Sequence, residues 1–179
     1  MPRPLGSWTS GWDKPTLKAE IWLLPLDAEL PPEKVAASSA YYLFLGQVSP
    51  DSRWITFEAV RDVASGREST IYVVPARGGS WTRVTNSQQW DDKPRWSPDG
   101  KTIYFVSGQR GFYKLWGARF DAARGRVLGT PFCLKGFDDP SVMVPTRLSD
   151  VGLSVARGRI AVAASQSTGA IWVLDNVDE

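Results

Sequence analysis

A five-residue turn occurs twice in this sequence. Ser49-Pro50-Asp51-Ser52-Arg53 returns 48 residues later as Ser97-Pro98-Asp99-Gly100-Lys101, and the copies lead into Trp54-Ile55-Thr56-Phe57 and Thr102-Ile103-Tyr104-Phe105. Ser suits the first position of a type I turn, Pro presets φ at the second, Asp tolerates the third and Gly supplies a left-handed fourth. Such a turn joins adjacent antiparallel strands. A repeat of 40 to 50 residues holding several short strands is the pattern of a β-propeller, whose blades must stack to bury their faces. Ser52 stands where Gly100 stands in the second copy, so that corner is expected to be strained or of another type.

Further strands fall into the same frame. Ile71-Tyr72-Val73-Val74-Pro75, Leu115-Trp116-Gly117-Ala118 and Ile171-Trp172-Val173-Leu174-Asp175 follow the hairpins, and an orphan copy, Ile21-Trp22-Leu23-Leu24-Pro25, stands near the start. The aromatic second position reads as a ring wedged between blades, which assigns Trp22, Trp96, Trp116 and Trp172 to packing. Outer strands are expected at Trp81 to Thr85, Lys34 to Ala37 and Phe132 to Leu134. A degenerate third copy aligns Leu153 and Ile160 with Trp96 and Ile103. Its spacing from the second copy is stretched from 48 to 57 residues, and the extra length is expected around 121–126 and 135–144. No convincing amphipathic helix is present, since stretches such as Asp27 to Leu30 run into Pro31-Pro32.

The expected fold is all-β: a partial β-propeller of four-stranded antiparallel blades, about three to four per chain. It forms a single domain over 1–179, with approximate blades at 1–40 (incomplete), 41–88, 89–137 and 138–179 (incomplete). Exposed blade faces and edges are a liability. They are relieved by a compact four-bladed ring, by completion with a second chain as a homodimer, or by blades encoded elsewhere.

Composition narrows the chemistry. The chain has no histidine, which removes Ser-His-Asp and Cys-His catalysis and HExxH zinc sites. Its 21 basic and 19 acidic residues leave a net charge of +2 without long runs, so no nucleic-acid footprint is expected. Arg124-Gly125-Arg126 and Arg157-Gly158-Arg159 read as solvated hairpin tips. There is no P-loop or dinucleotide-binding glycine pattern, and no cofactor or metal is expected. The single cysteine, Cys133, lies in an apolar run and reads as a buried, inert thiol. The first residues lack a signal-peptide h-region and no stretch is long and apolar enough to span a membrane, so the chain as it stands reads as soluble and untargeted, with no membrane insertion expected and its compartment left open.

The segment Lys93-Pro94-Arg95-Trp96-Ser97-Pro98-Asp99-Gly100-Lys101-Thr102-Ile103-Tyr104-Phe105-Val106-Ser107, followed by Leu115-Trp116, resembles the repeat of TolB-type propellers, also called PD40 or WD40-like repeats. The ending, Gly169 to Asp178, resembles the close of propeller regions in bacterial sensor-like proteins. The resemblance implies the C-terminal portion of a non-catalytic scaffold, commonly six-bladed and often periplasmic, that binds proteins or peptides at a channel mouth. It names no partner, because the repeat builds the blade rather than a shared site.

Loops that lead from one blade into the next commonly form the binding face. Here they hold Trp90-Asp91-Asp92-Lys93, with Arg95 just beyond, and Gly136-Phe137-Asp138-Asp139-Pro140. The candidate binding residues are therefore Trp90, Asp91, Asp92, Arg95, Phe137, Asp138 and Asp139, suited to a basic peptide. Their aspartates can equally bond turn amides, or hold a hard cation, although no EF-hand pattern is present. Two other readings stand beside this one. The chain can be the non-catalytic propeller of a prolyl-oligopeptidase-like peptidase, since it lacks the Gly-x-Ser-x-Gly elbow and the histidine of the hydrolase itself. It can also be a carbohydrate-active propeller using paired aspartates such as Asp92 and Asp139.

Overall fold

The computed structural model describes residues 19–26, 29–86, 89–108, 113–134 and 141–166. Phe137, Asp138, Asp139 and the expected strand at Ile171 to Asp175 lie outside them.

Two complete four-stranded antiparallel sheets form the centre of the chain. The first is built in chain order from β3 (Tyr42–Val48), β4 (Trp54–Val63), β5 (Gly66–Pro75) and β6 (Thr82–Arg83). The second comprises β7 (Asp91–Trp96), β8 (Thr102–Ser107), β9 (Lys114–Asp121) and β10 (Arg126–Cys133). Before them, β1 (Ile21–Leu23) pairs with β2 (Glu33–Ala36) as the back half of a blade. After them, β11 (Val142–Met143) pairs with β14 (Ser165–Gln166), and β12 (Leu153–Ala156) pairs with β13 (Arg159–Val162). The chain is an all-β, partial propeller, and β7 packs against both β3 and β12, so the first strands of successive blades converge.

The repeated turn has one hydrogen-bond design in both copies. The Ser49 hydroxyl donates to Asp51 at 2.6 Å and accepts from the Trp54 amide at 3.0 Å, and Ser97 does the same with Asp99 at 2.6 Å and Thr102 at 2.9 Å. The fourth-residue amide closes each turn onto the serine carbonyl at 2.9 Å. The Ser49 hydroxyl, followed by the Arg53 guanidinium, holds the Asp51 carboxyl down at about 2. Because this folded pKa is depressed, the stability it contributes is present above the ordinary 3.8 and is lost as pH falls through about 2.

Ser52 adopts φ 57° where Gly100 has φ 68°, so the first corner keeps the glycine geometry with a side chain that disfavours it. Ser52→Gly is expected to raise stability by up to about 1 kcal/mol, and Gly100→Ser to lower it by about 1 kcal/mol. Urea unfolding checks the pair. A loss on Ser52→Gly would show that chain entropy outweighs the strain.

Stacking produces three inter-blade cores. Ile21, Val35 and Ala36 pack on Leu43, Ile55, Phe57 and Val74. Ile71 and Val73 pack on Ile103, Phe105, Trp116 and Phe120. Val106 and Leu115 pack on Val144, Val151 and Leu153. Backbone-directed bonds stitch the same seams: the Trp96 indole donates to the Gln47 carbonyl at 3.1 Å, the Trp54 indole to the Ala122 carbonyl at 3.1 Å, and Arg95 Nε to the Leu153 carbonyl at 2.9 Å.

Four expectations are corrected. Trp22 is 45% exposed. Its register equivalents Tyr72 and Trp116 each pack toward the preceding blade, and no described blade stands before β1. Cys133 is exposed, because its apolar run is part of an outer strand that is solvent-facing over most of its length. Leu153 pairs with Val162 and Ile160 with Val155, so the third hairpin closes through the two residues Arg157-Gly158 and its register differs from the other two.

The extra length is the last, and it is corrected at 121–126 alone, since 135–140 of the second expected stretch lies outside the described residues. The segment 121–126 is a tight turn, with Asp121 directly opposite Arg126. The length enters at 144–152, where nine residues on one strand face only two, 163–164, on the other. They include a 3-10 turn, Leu148–Asp150. The two complete blades break register at the corresponding place, between Phe44 and Gln47 and between Asp92 and Arg95. The first residue of each bulge, Leu45 or Lys93, is left-handed at φ 56° and 57°.

Candidate functional site

At the end of the strands opposite the repeated turns, β3, β4, β7 and the inserted 3-10 segment enclose a cavity of about 370 Å³. Tyr42, Phe44 and Trp90 supply an aromatic wall, Glu58, Asp92 and Lys93 a charged floor, and Leu148 and Ser149 the rim. Two larger hollows, of about 630 and 560 Å³, lie among the repeated turns. The carboxylates there, Asp51, Asp99 and Asp121, are already committed to their own turns, so they offer a ligand little.

Asp91 and Asp92 open strand β7 rather than hang in a loop, and they are only 1% and 4% exposed. The bulge at Lys93 folds that residue back on its neighbour: its amide donates to Asp92 at 2.6 Å and its ammonium lies 3.4 Å away. Glu58, 5% exposed, arrives from β4 of the preceding blade. Burial first, and the nearby Asp92 carboxylate second, push its pKa from the ordinary 4.5 to about 8, opposed by a hydrogen bond from Ser69.

Asp91 is buried with neither carboxylate oxygen in a well-formed hydrogen bond. The hydroxyls of Ser107 and Thr85 stand near enough to favour its charge, but burial outweighs them and its pKa is raised. Arg95 does not reach the cavity. It is spent on the Leu153 and Pro94 carbonyls at 2.9 and 2.8 Å, and burial lowers its basicity.

Of the residues nominated from sequence, the structure therefore gathers Trp90 and Asp92 in the cavity, places Asp91 and Arg95 in the seams beside it, and leaves Phe137, Asp138 and Asp139 outside the described residues. Glu58, Lys93, Tyr42, Phe44 and the 148–149 rim were not anticipated. The signal for Glu58 was present: a lone carboxylate inside the apolar run Trp54 to Val60. Among the described residues no group of three His, Cys, Asp or Glu side chains is placed to hold a metal ion, and no helix is long and apolar enough to cross a membrane.

No protein-family model matches the chain. An uncharacterized protein of Agrobacterium fabrum, Atu1656, is 31% identical over 106 residues, 59% of this chain and 34% of the relative. The match thus spans about a third of the length of that curated relative. The solved structure of a candidate TolB from Agrobacterium tumefaciens overlaps 83% of this chain and 70% of its own at 20% identity, with a TM-score of 0.31, too low for the overlay to carry any argument.

Proposed function

We propose that this chain is a non-catalytic propeller scaffold that holds a protein or peptide segment at the mouth where β3, β7 and the 144–152 insertion converge. The observation that carries the reading is the mouth cavity itself. It is concave, has aromatic side chains on one wall and carboxyl groups at its floor, and is rimmed by a segment that, among the described residues, the two complete blades lack. Glu58 and Asp92 line the same floor, close enough for the Asp92 charge to act on Glu58. The TolB-type repeat seen in the sequence points the same way.

Screening extended peptides bearing a basic residue against the immobilised chain tests the proposal. Trp90→Ala and Asp92→Asn are each expected to weaken the selected peptides by about tenfold or more, as anchors in a desolvated pocket do. The reading is overturned if no peptide binds, or if only changes at the repeated turns alter binding.

The exposed Trp22 face supports completion of the ring by a second copy of the chain, since the blade faces equivalent to it are covered by blades. Native mass spectrometry is expected to show a dimer. A monomer at micromolar concentration defeats this part without touching the mouth.

A further inference from the structure

Counting protons at the seam between the two complete blades gives more than its contacts do. The Ser69 hydroxyl on β5 lies within hydrogen-bond distance of two acceptors, Glu58 Oε1 at 2.7 Å and the Asp91 carbonyl oxygen. A hydroxyl has one proton. If it goes to the Asp91 carbonyl, which has none to give, the short contact to Glu58 needs a proton from the carboxyl group. If it goes instead to Glu58, the equally short contact to the Asp91 carbonyl is left with no proton between its two oxygens. The one assignment that satisfies both contacts of Ser69 puts a proton on the Glu58 carboxyl, which lines the same cavity floor as Asp92.

We propose that this seam is a proton-operated latch: one proton, held on Glu58 beside Asp92, ties β4 and β5 of one blade to β7 of the next, and its release to solvent loosens the floor of the mouth. Glu58 and Asp92 are nine-tenths or more buried and belong to neighbouring blades, so when both are ionised their repulsion acts across the seam and not within one sheet. The latch stands whether or not a peptide docks above it.

The surrounding charges do not replace the proton. From β3 comes the Tyr42 phenol, and from β5 comes Arg67, which pairs with Asp62 at 2.9 Å. From β7 come Asp91, Lys93 and Arg95; the Lys93 ammonium already faces Asp92, and Arg95 is engaged by carbonyls. Tyr113, at the entry to β9, feels the Asp92 charge. Asp150 of the 3-10 turn is exposed and accepts from Ser149 at 3.0 Å. The Lys93 ammonium lies against Asp92, and one ammonium cannot neutralise two buried carboxylates.

The sign follows from a folded-state pKa raised to about 8 from 4.5: the contribution of Glu58 is whole below the lower value and is lost as pH rises through the upper one. Urea titrations of the full chain at a series of pH values from 6 to 9 test this. The wild-type folding constant is expected to fall roughly tenfold per pH unit up to about pH 8 and then level off. Glu58→Gln, which keeps a hydrogen donor but cannot ionise, is expected to flatten that profile. Parallel profiles for the two proteins overturn the latch.

Should Glu58→Gln fail to fold, carbon-13 NMR of the glutamate carboxyls in the wild-type chain decides instead. One resonance titrating near pH 8 is expected, and titration of every glutamate below pH 6 rejects the proposal. Amide exchange at Asp92 and Arg95, corrected for its intrinsic pH dependence, is expected to accelerate above pH 8 relative to Thr102 to Ser107. Equal protection of the two segments across the range contradicts the loosening.

Discussion

Truncation of Phe105 to alanine is expected to lower the stability of the chain by about 3–5 kcal/mol, read as a shift in the urea midpoint at constant slope. The ring is fully buried in the core where Ile71 and Val73 of one complete blade meet Ile103, Trp116 and Phe120 of the next. A cavity there lies between two sheets whose backbones are fixed by their own ladders, so neither can collapse inward to fill it. Stacked repeats draw their stability from such nearest-neighbour interfaces, and a domain of this size has only about 5–15 kcal/mol in total.

Phe57, 48 residues earlier, holds the same position at the preceding seam and meets Trp81 edge-on at 4.9 Å. Its alanine variant is expected to cost a similar amount, while Phe105→Leu, which keeps most of the volume, costs less than about 2 kcal/mol. A loss below 1 kcal/mol for Phe105→Ala would mean that the blades are held together mainly by the polar stitching and not by this core.

The second large effect is expected at a glycine. Gly125 has φ 65°, and a Cβ there would come within 2.4 Å of the Trp54 ring. The turn it occupies is anchored to the preceding blade by the Trp54 indole on the Ala122 carbonyl and by the Thr82 hydroxyl on the Gly125 carbonyl at 2.8 Å. Gly125→Ala therefore combines left-handed strain of roughly 1–2 kcal/mol with displacement of a packed indole costing roughly 1–3 kcal/mol. Gly158→Ala is the control. Its φ is 71°, but nothing lies within 4 Å of the added Cβ, so only the strain remains. Differential scanning calorimetry of both variants separates the two contributions, and equal losses would remove the packing part of the argument.

These two sites also mark how far the sequence could be read. The hairpins at Ser49 and Ser97 were legible because a proline, an aspartate and a serine hydroxyl settle the turn among themselves within five residues. The strand around Phe105 was legible for the same local reason. Trp22 was not, because its ring has the same place in its strand as Tyr72 and Trp116, and what differs is whether a blade stands in front of it. Cys133 was misread because an apolar run does not reveal that its strand is the outermost of four. Asp91 and Asp92 look like loop residues by type, but hydroxyls at Ser69 and Ser107 from neighbouring strands and at Thr85 just past β6 give the start of β7 a polar lining. The bulges were invisible because Leu45 and Lys93 share a backbone angle and nothing in their side chains.

Those bulges govern where the propeller can vary. The turn-side ladders next to each break are regular in all three hairpins, with two residues facing one at Leu45 and at Lys93, and nine facing two at 144–152. Residues added at this one interruption lengthen the rim of the mouth, while the stacking faces between blades keep their shape. Each blade thus carries a socket for rim segments of unequal length, and the outline of the mouth can be redrawn one blade at a time on an unchanged stack.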